Sequence, residues 1–445
     1  MSTETARRPI YKRIGPGLIT ACVVIGPGSI LTSSTVGANN GYSMLWVVIV
    51  SVIFMMVYMT MGARLGVVAS AAPGDLLREK AGKWLSMLVG LCVFFISAAF
   101  QSGNSLGVGA AFASFSDNEY LVAGLVVAFN AVAIAFLFAF KNLYQMLERL
   151  MMCFVGLMLL SFAINLFKLG PDFGDMARGF LPKSGSLDIA VLGLVGTTFV
   201  ITAAFYQGYL VRQKGWGLNE LKDGLIDARI GAVIMAVITI MLMSTAAAGI
   251  FPDKQPGETI AFEGGVVGVA ASLEATFGSS AKIIFCFGLF SAAYSSFLVN
   301  SMIGGFMAAD GLGLGSKPTD LWPRIMTAVV LLTGMFVALA STLLGFDRTP
   351  TIIAAQAVTV VGAPLVAGVL LWLTSRRDVM GDHVNSPLTT AFAGIGLVLL
   401  LAMAGRTAFV SIPAGLEKMR DQPQAVAEPA PVAQPQDDEP RSSEE

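Results

Sequence analysis

Neutral polar side chains recur inside long apolar stretches of this sequence. Their hydroxyl and amide oxygens can bind a hard cation or hydrogen-bond a small polar solute. No acid, histidine or cysteine pair accompanies them, so they offer neither a nucleophile with its base nor a cofactor site, and we expect a binding protein and no enzyme. The four groups are Ser29, Thr32, Ser33, Ser34 and Thr35; Gln101, Ser102, Asn104 and Ser105; Thr197, Thr198, Thr202 and Gln207; and Gln356 and Thr359.

The composition predicts that these groups lie within a lipid bilayer. The chain is 55% hydrophobic and 13% charged, with a mean hydropathy of +0.74, far from the values of a soluble domain. A helix that rises 1.5 Å per residue crosses roughly 30 Å of hydrocarbon in about 20 residues. We predict eleven spans: 15–38, 44–63, 84–112, 120–140, 148–167, 189–211, 229–251, 282–308, 324–345, 351–375 and 388–411.

These spans must be helices, because the backbone groups of a lipid-exposed segment have to be satisfied within it. Basic residues are retained on the cytoplasmic side during insertion. Most of the 28 Lys and Arg residues fall in the segments that a cytoplasmic N-terminus would place inside. With eleven spans, this orientation puts the C-terminus outside a bacterial-type inner membrane. Residues 1–13 are then a cytoplasmic segment, 14–412 the membrane domain, and 413–445 a disordered tail rich in Pro, Ala, Gln and acid.

Two spans contain residues that interrupt a helix. Span 1 holds Gly26, Pro27 and Gly28, in which proline removes a backbone donor and glycine loosens the turn. Span 6 holds Gly196, followed by a run rich in Thr and Ala. Many secondary transporters consist of two inverted repeats of about five helices whose first helices are interrupted near the midplane. Spans 1 and 6 stand five apart, as that architecture requires.

An interrupted helix presents two chemically different ends. The half before the break exposes carbonyl groups, which favour a cation, and the half after it exposes N–H groups, which favour an anion. Both ends would meet near residues Gly26 to Ser29. A kink that serves only helix packing is the alternative explanation.

Several motifs resemble the natural-resistance-associated macrophage protein (NRAMP) family of divalent-metal transporters. Span 1 is similar in "GPGLI", "GPGS" and "VGANNGYSMLW", and span 6 in "ARGFLPKSG" and "VGTTFVITAAFYQGYLVRQK". Span 10 and the loop after it are similar in "TIIAAQAVTVVGAPL" and "LLWLTSRRDVMGDHVN". The resemblance implies an all-α LeuT-type fold, in which spans 1–5 and 6–10 are inverted repeats and span 11 is added.

The same resemblance implies that nearly all metal-coordinating side chains of the family are missing here. The Asp and Asn of the family's first span fall on Gly26 and Ser29. Its Met-Pro-His-Asn motif falls on Val200, Ile201, Thr202 and Ala203, and a following His falls on Gln207. The span-10 glutamine is kept, at Gln356. The soft thioether that favours transition metals is therefore absent.

Span 3 also lacks ionisable side chains that the family tends to carry. Where relatives tend to carry acids on a proton route, this chain has Gln101 and Asn104, amides that cannot accept a proton near neutral pH. The single histidine, His383, lies in the loop between spans 10 and 11 and is expected to be a solvated loop residue. We therefore predict that transport, if present, is not coupled to protons.

Three functions remain open from the sequence. The first is transport of a partly hydrated hard divalent cation such as Mg²⁺, held by Ser29, Thr202, Gln207 and Gln356 and by carbonyl groups near Ile25 and Val200. The second is transport of a neutral or zwitterionic solute such as an amino acid on the same scaffold. The third is a sensor or partner protein in the membrane that transports nothing. The expected partners are a small ion or solute and the bilayer, with no nucleic acid, and the oligomeric state is open.

Overall fold

The structure is a computed structural model of the 445-residue chain. It describes residues 15–116, 118–140, 142–182, 189–255, 257–260, 262, 265–344 and 348–411, without the side chains of 189, 276–277, 348–358 and 410–411. The predicted N-terminal segment, the predicted tail and the side chain of Gln356 therefore lie outside the described part.

The described chain is helical throughout its long elements. The seventeen α-helices are α1 (Pro16–Val24), α2 (Pro27–Asn40), α3 (Leu45–Val68), α4 (Pro73–Ala81), α5 (Lys83–Ala113), α6 (Glu119–Ala139), α7 (Leu143–Leu169), α8 (Phe173–Gly179), α9 (Ile189–Thr198), α10 (Ile201–Gln213), α11 (Leu221–Gly249), α12 (Val266–Phe277), α13 (Ser279–Leu312), α14 (Leu321–Leu343), α15 (Arg348–Ser375), α16 (Arg377–Met380) and α17 (Pro387–Arg406).

The predicted spans agree with these helices. Nine helical segments of the described residues are long and apolar enough to cross a membrane, and two bent pairs raise the number to eleven. One pair is α1 with α2, bent by 60°, and the other joins the end of α15 to the segment Arg377–His383, bent by 68°. The interruption of span 6 separates α9 from α10 at Phe199 and Val200.

Spans 7 and 8 are longer than predicted. Helix α11 begins at Leu221, eight residues before the predicted start at 229, and α13 continues to Leu312, four residues past the predicted end at 308. These extra turns bring Asp227 and Asp310 into the packed interior, where their exposed fractions are 0% and 1%. The prediction of these two boundaries was wrong, because it ended each span at the nearest charged residue.

The long helices α5 and α13 form the centre of the bundle. They are the third helices of the two predicted repeats and pack along each other. Helices α1 and α2 pack against α11, with α1 also touching α7, α10 and α13. Both interrupted spans are therefore enclosed by helices on several sides, and their breaks lie in the protein interior.

Candidate functional site

The break of span 1 lies at Ile25 and Gly26. Gly26 has an extended backbone (φ −120°, ψ −176°), and Pro27 then begins α2. A proline at the first position of a helix is favourable because its missing N–H would have no helical partner there. The carbonyl groups at the end of α1, in contrast, need partners from outside their own helix.

Two serine hydroxyls supply those partners. Ser296 of α13 donates a hydrogen bond from Oγ to the carbonyl oxygen of Val23 over 3.0 Å. Ser29 of α2 donates from Oγ to the carbonyl oxygen of Val24 and lies 3.4 Å from the carbonyl oxygen of Thr197. The carbonyl end of α1 is thus surrounded by neutral oxygens, and Ser29 joins it to the end of α9.

Polar atoms of two other spans approach the backbone closely at Gly26, which has no side chain. A Cβ atom built at this position would lie 3.0 Å from Asn104 Oδ1 and 3.0 Å from Ser296 Oγ. Asn104 is 1% exposed, and its Oδ1 has no hydrogen-bond partner among the described residues. A buried acceptor without a partner costs about 1–3 kcal/mol. The break is therefore faced by an acceptor oxygen for which the described residues supply no donor.

A line of amides extends from Asn104 between α5 and α13. Asn104 Nδ2 lies 3.4 Å from Gln101 Oε1, and Asn300 Nδ2 lies 3.3 Å from the same oxygen. Asn300 also donates to the carbonyl oxygen of Ser97 over 2.9 Å. All three amides are buried. Two amide donors thus meet at one acceptor, Gln101 Oε1, and none of the three side chains can carry a proton near neutral pH.

The break of span 6 borders a small cavity. Phe199, at the break, is buried against Phe54 and Tyr58 of α3, with ring centroids 6.0 and 5.4 Å away. The cavity on its other side has a volume of about 20 Å³ and is lined by Val200 and Thr202, among others. This is room for about one water molecule. The break therefore leaves space beside two of the predicted substrate-binding residues.

The two breaks are linked directly. Thr32 Oγ1 lies 3.1 Å from Thr197 Oγ1, beside the contact between Ser29 and the Thr197 carbonyl oxygen. Thr197 and Thr198 are the last two residues of α9, directly before the break. Hydroxyl groups of span 1 therefore meet the end of the first half of span 6. Sequence analysis grouped these side chains by span, and the structure joins the two groups.

The remaining predicted residues lie at several places. Ile25, Gly26, Ser29 and Asn104 meet at the break of span 1. Ala203 is buried in the first turn of α10. Gln207, one turn further, contacts the Thr20 hydroxyl, and its amide oxygen lies 3.2 Å from the Gly17 N–H. It lies on a separate network at the first turn of α1. The binding roles of all these residues remain predictions.

Sequence analysis missed two buried carboxylates. Asp227 Oδ1 accepts a hydrogen bond from the Gly15 N–H over 2.7 Å, and its Oδ2 accepts one from Gly17 over 2.6 Å. Asp310 Oδ2 accepts from the Gly74 N–H over 2.8 Å and from the Tyr209 hydroxyl over 2.5 Å. One signal could have revealed the first carboxylate. The small residues Gly224, Ala228 and Gly231 recur at helical spacing around Asp227, which is typical of a packed membrane helix.

No group of three or more His, Cys, Asp or Glu side chains that could hold a metal occurs among the residues that the structure describes. An enclosed bundle with two interrupted helices and a neutral oxygen site at their breaks defines a membrane protein of the LeuT type. The chain matches the model of the natural resistance-associated macrophage protein-like family over residues 17–409. It belongs to that family, as its motifs indicated.

Curated relatives agree with this assignment. A divalent metal cation transporter MntH from Deinococcus radiodurans is 26% identical over 411 residues, with 89% of each chain covered. MntH from Mycobacterium leprae is 23% identical and covers 90% of this chain and 92% of its own.

Solved structures confirm the fold. A crystal structure of a mutant manganese transporter from Eremococcus coleocola has a TM-score of 0.78 at 16% identity and covers 96% of this chain and 91% of that chain. MhsT in complex with L-phenylalanine has a TM-score of 0.58, also at 16% identity, and covers 87% of this chain and 98% of that chain. The predicted LeuT-type fold is therefore correct.

Proposed function

We propose that this chain is a secondary transporter that moves a divalent metal cation through the bundle. Family membership supports this function, because the curated relatives are named as divalent metal cation transporters. The observation that carries it is the buried Asn104 Oδ1, which has no hydrogen-bond partner among the described residues and lies beside Gly26 at the break that follows the carbonyl end of α1. The negative end of a helix beside an unpaired oxygen favours a positive ligand.

The preferred substrate is a hard ion such as Mg²⁺ rather than Mn²⁺ or Fe²⁺. The groups around the breaks are hydroxyl, amide and carbonyl oxygens, which suit Mg²⁺. No thioether or imidazole accompanies them, and those softer ligands favour transition metals. Val200 and Thr202 stand where the resemblance implies Met and His.

The substrate keeps part of its water shell in this proposal. Two unit charges 4 Å apart attract by about 4 kcal/mol at an effective dielectric constant of 20, and no carboxylate at position 26 provides that attraction. Mg²⁺ dehydrates reluctantly and commonly retains several waters in proteins. Water that stays bound reduces the desolvation loss, so we expect weak binding that still permits release.

Transport is not coupled to protons in this proposal. The amides Gln101 and Asn104 occupy the positions where the resemblance implies acids of a proton route. A third amide, Asn300, donates to the same Gln101 oxygen that Asn104 approaches. Each amide can pass hydrogen bonds along but cannot bind and release a proton near neutral pH.

The N-terminus is proposed to face the cytoplasm and the C-terminus the outside of the cell membrane. The distribution of Lys and Arg residues supports this orientation. Alkaline phosphatase, which is active only outside, is fused to the C-terminus and compared with the same fusion after a deletion of the last span, 388–411. Activity of the full-length fusion alone is expected; activity of the deletion alone would contradict the orientation.

Uptake by proteoliposomes tests the substrate. The panel contains Mg²⁺, Ca²⁺, Mn²⁺, Fe²⁺ and a set of amino acids, and Ser29→Ala is the variant that loses the hydroxyl between the two breaks. Mg²⁺ uptake that Ser29→Ala weakens is expected. Uptake of amino acids alone would show that the substrate is a small organic solute and not a metal ion. No uptake of any compound would overturn the transport function.

A further inference from the structure

The first half of span 1 is a short helix that the break separates from the second half. Helix α1 has nine residues and joins α2 only through the break, across which the axis bends by 60°. A break in a helix decouples the two halves, because the hydrogen bonds that stiffen the rod do not cross it. What fixes α1 must therefore come from its neighbours.

Asp227 of α11 supplies the strongest polar contact at the first turn of α1. Its two carboxylate oxygens accept hydrogen bonds from the N–H groups of Gly15 and Gly17, over 2.7 and 2.6 Å. The side chain is 0% exposed. A carboxylate at a helix N-terminus satisfies free backbone donors and interacts favourably with the helix dipole.

Helices α1 and α11 pack against each other through glycine residues. A Cβ at Gly17 would clash with the backbone of Asp227, and a Cβ at Gly231 would clash with the backbone of Gly17. The backbones therefore touch without interlocking side chains at this point. This close approach of the two backbones brings the Asp227 carboxylate within reach of the free N–H groups at the start of α1.

Residues of other helices surround this carboxylate. Thr20 of α1 contacts the amide of Gln207 on α10, whose oxygen lies 3.2 Å from the same Gly17 N–H that donates to Asp227. Lys214, which follows α10, pairs with Glu148 of α7 over 2.7 Å, beside Gly15. The network thus includes residues of both interrupted spans, so a shift of α10 at the span-6 break can reach α1.

We propose that Asp227 is a positioning residue that holds α1 against α11 in the closed arrangement, and that transport requires its release from the N–H groups of Gly15 and Gly17. Gln207 connects this anchor to α10 and so to the substrate site. The inference rests on the proposed transport function for its role in the cycle, whereas the anchoring itself can be measured without any substrate.

Cys22 reports the position of α1. It is the seventh of the nine residues of that helix and is 0% exposed. With Cys92, Cys153 and Cys286 replaced by Ala, a charged thiol reagent is added to the protein in nanodiscs, where both faces are accessible, and the modification of Cys22 is followed by mass spectrometry. Asp227→Asn keeps the size of the side chain and removes its charge.

We expect Asp227→Asn to raise the rate of Cys22 modification by about tenfold, the ratio that corresponds to the loss of one charge-assisted hydrogen bond. Asp310→Asn is the matched control, since Asp310 is also buried but caps α4, and it should leave the rate within about twofold. Equal rates in Asp227→Asn and the parent would overturn the inference, as would an equal rise in the control.

Thr20→Val gives a second test that keeps the buried volume and removes the contact with Gln207. A rise of about threefold is expected, and no change would contradict the role of Gln207 in the anchor. Uptake measured on the parent protein separates the two proposals. Faster Cys22 modification without uptake of any substrate would retain the anchor and reject the transport function.

Discussion

The hydroxyl of Ser296 donates a hydrogen bond to the carbonyl oxygen of Val23 over 3.0 Å, so span 8 closes the carbonyl end of the interrupted span 1. Ser29 does the same for Val24 from the other side of the break. A substrate that binds these carbonyl groups must displace the two hydroxyl donors and interact with the carbonyl oxygens at least as strongly. A cation with its bound water meets that requirement, because it attracts the freed oxygens and supplies donors.

The variant Ser296→Ala should destabilise the protein and weaken Mg²⁺ uptake. It leaves a buried carbonyl oxygen without a donor, which lowers the free energy of unfolding by about 1–3 kcal/mol. Ser301→Ala is the control, because its buried hydroxyl on the same helix bonds within that helix, to the carbonyl oxygen of Leu298 over 2.8 Å, and its loss should lower the stability less. Chemical unfolding of both variants in detergent measures the difference. Equal losses would contradict a special role of the contact with Val23.

Substitution of Gly26 by Asp should create a site for Mn²⁺. A carboxylate here adds about 4 kcal/mol of attraction per unit charge at 4 Å and an effective dielectric constant of 20. The side chain fits once Asn104 Oδ1 and Ser296 Oγ, both 3.0 Å from the new Cβ, move slightly. Titration calorimetry with Mn²⁺ should give at least tenfold tighter binding than in the parent. Gly26→Asn has the same size without the charge, and equal binding by this control would reject the electrostatic explanation.

The hydrogen bond between Tyr209 and Asp310 should stabilise the fold. Tyr209→Phe removes a buried donor to a carboxylate at 2.5 Å and should lower the free energy of unfolding by about 1.5–3 kcal/mol. Tyr206 is a matched control on the same helix, since its buried hydroxyl donates to no carboxylate among the described residues. Tyr206→Phe should be neutral or slightly stabilising. Thermal unfolding of the two variants distinguishes these results, and a larger loss for Tyr206→Phe would refute the assignment.

Much of the architecture could be predicted from the sequence because it follows from hydrophobicity. Apolar windows define membrane helices directly, since lipid leaves the backbone few alternatives. The Gly-Pro-Gly segment at Gly26 to Gly28 also predicted the break of span 1, because both residue types disrupt a helix. The break of span 6 has no proline, and its place at Phe199 and Val200 depends on the packing of Phe199 against α3.

The candidate site could be predicted only in part, because its contacts join distant parts of the chain. The types of Ser29 and Asn104 indicated neutral polar chemistry, but nothing local shows that Asn104 faces Gly26. Ser296 and Asn300 lie in an apolar helix among other small residues, which is typical of packing. The predicted start of span 7 at residue 229 leaves Asp227 outside the membrane helix, because a charged residue marks the end of an apolar window. Its carboxylate is instead satisfied by N–H groups 210 and 212 residues away.

Simultaneous measurement of Mg²⁺ and protons in the same proteoliposomes tests the central claim most directly. Vesicles loaded with a Mg²⁺ indicator and a pH indicator are given an inward Mg²⁺ gradient, with protein-free vesicles as the control. We predict that Mg²⁺ enters, that the internal pH does not follow it, and that excess Mn²⁺ competes poorly. Entry of Mn²⁺ with acidification, and no entry of Mg²⁺, would contradict the account.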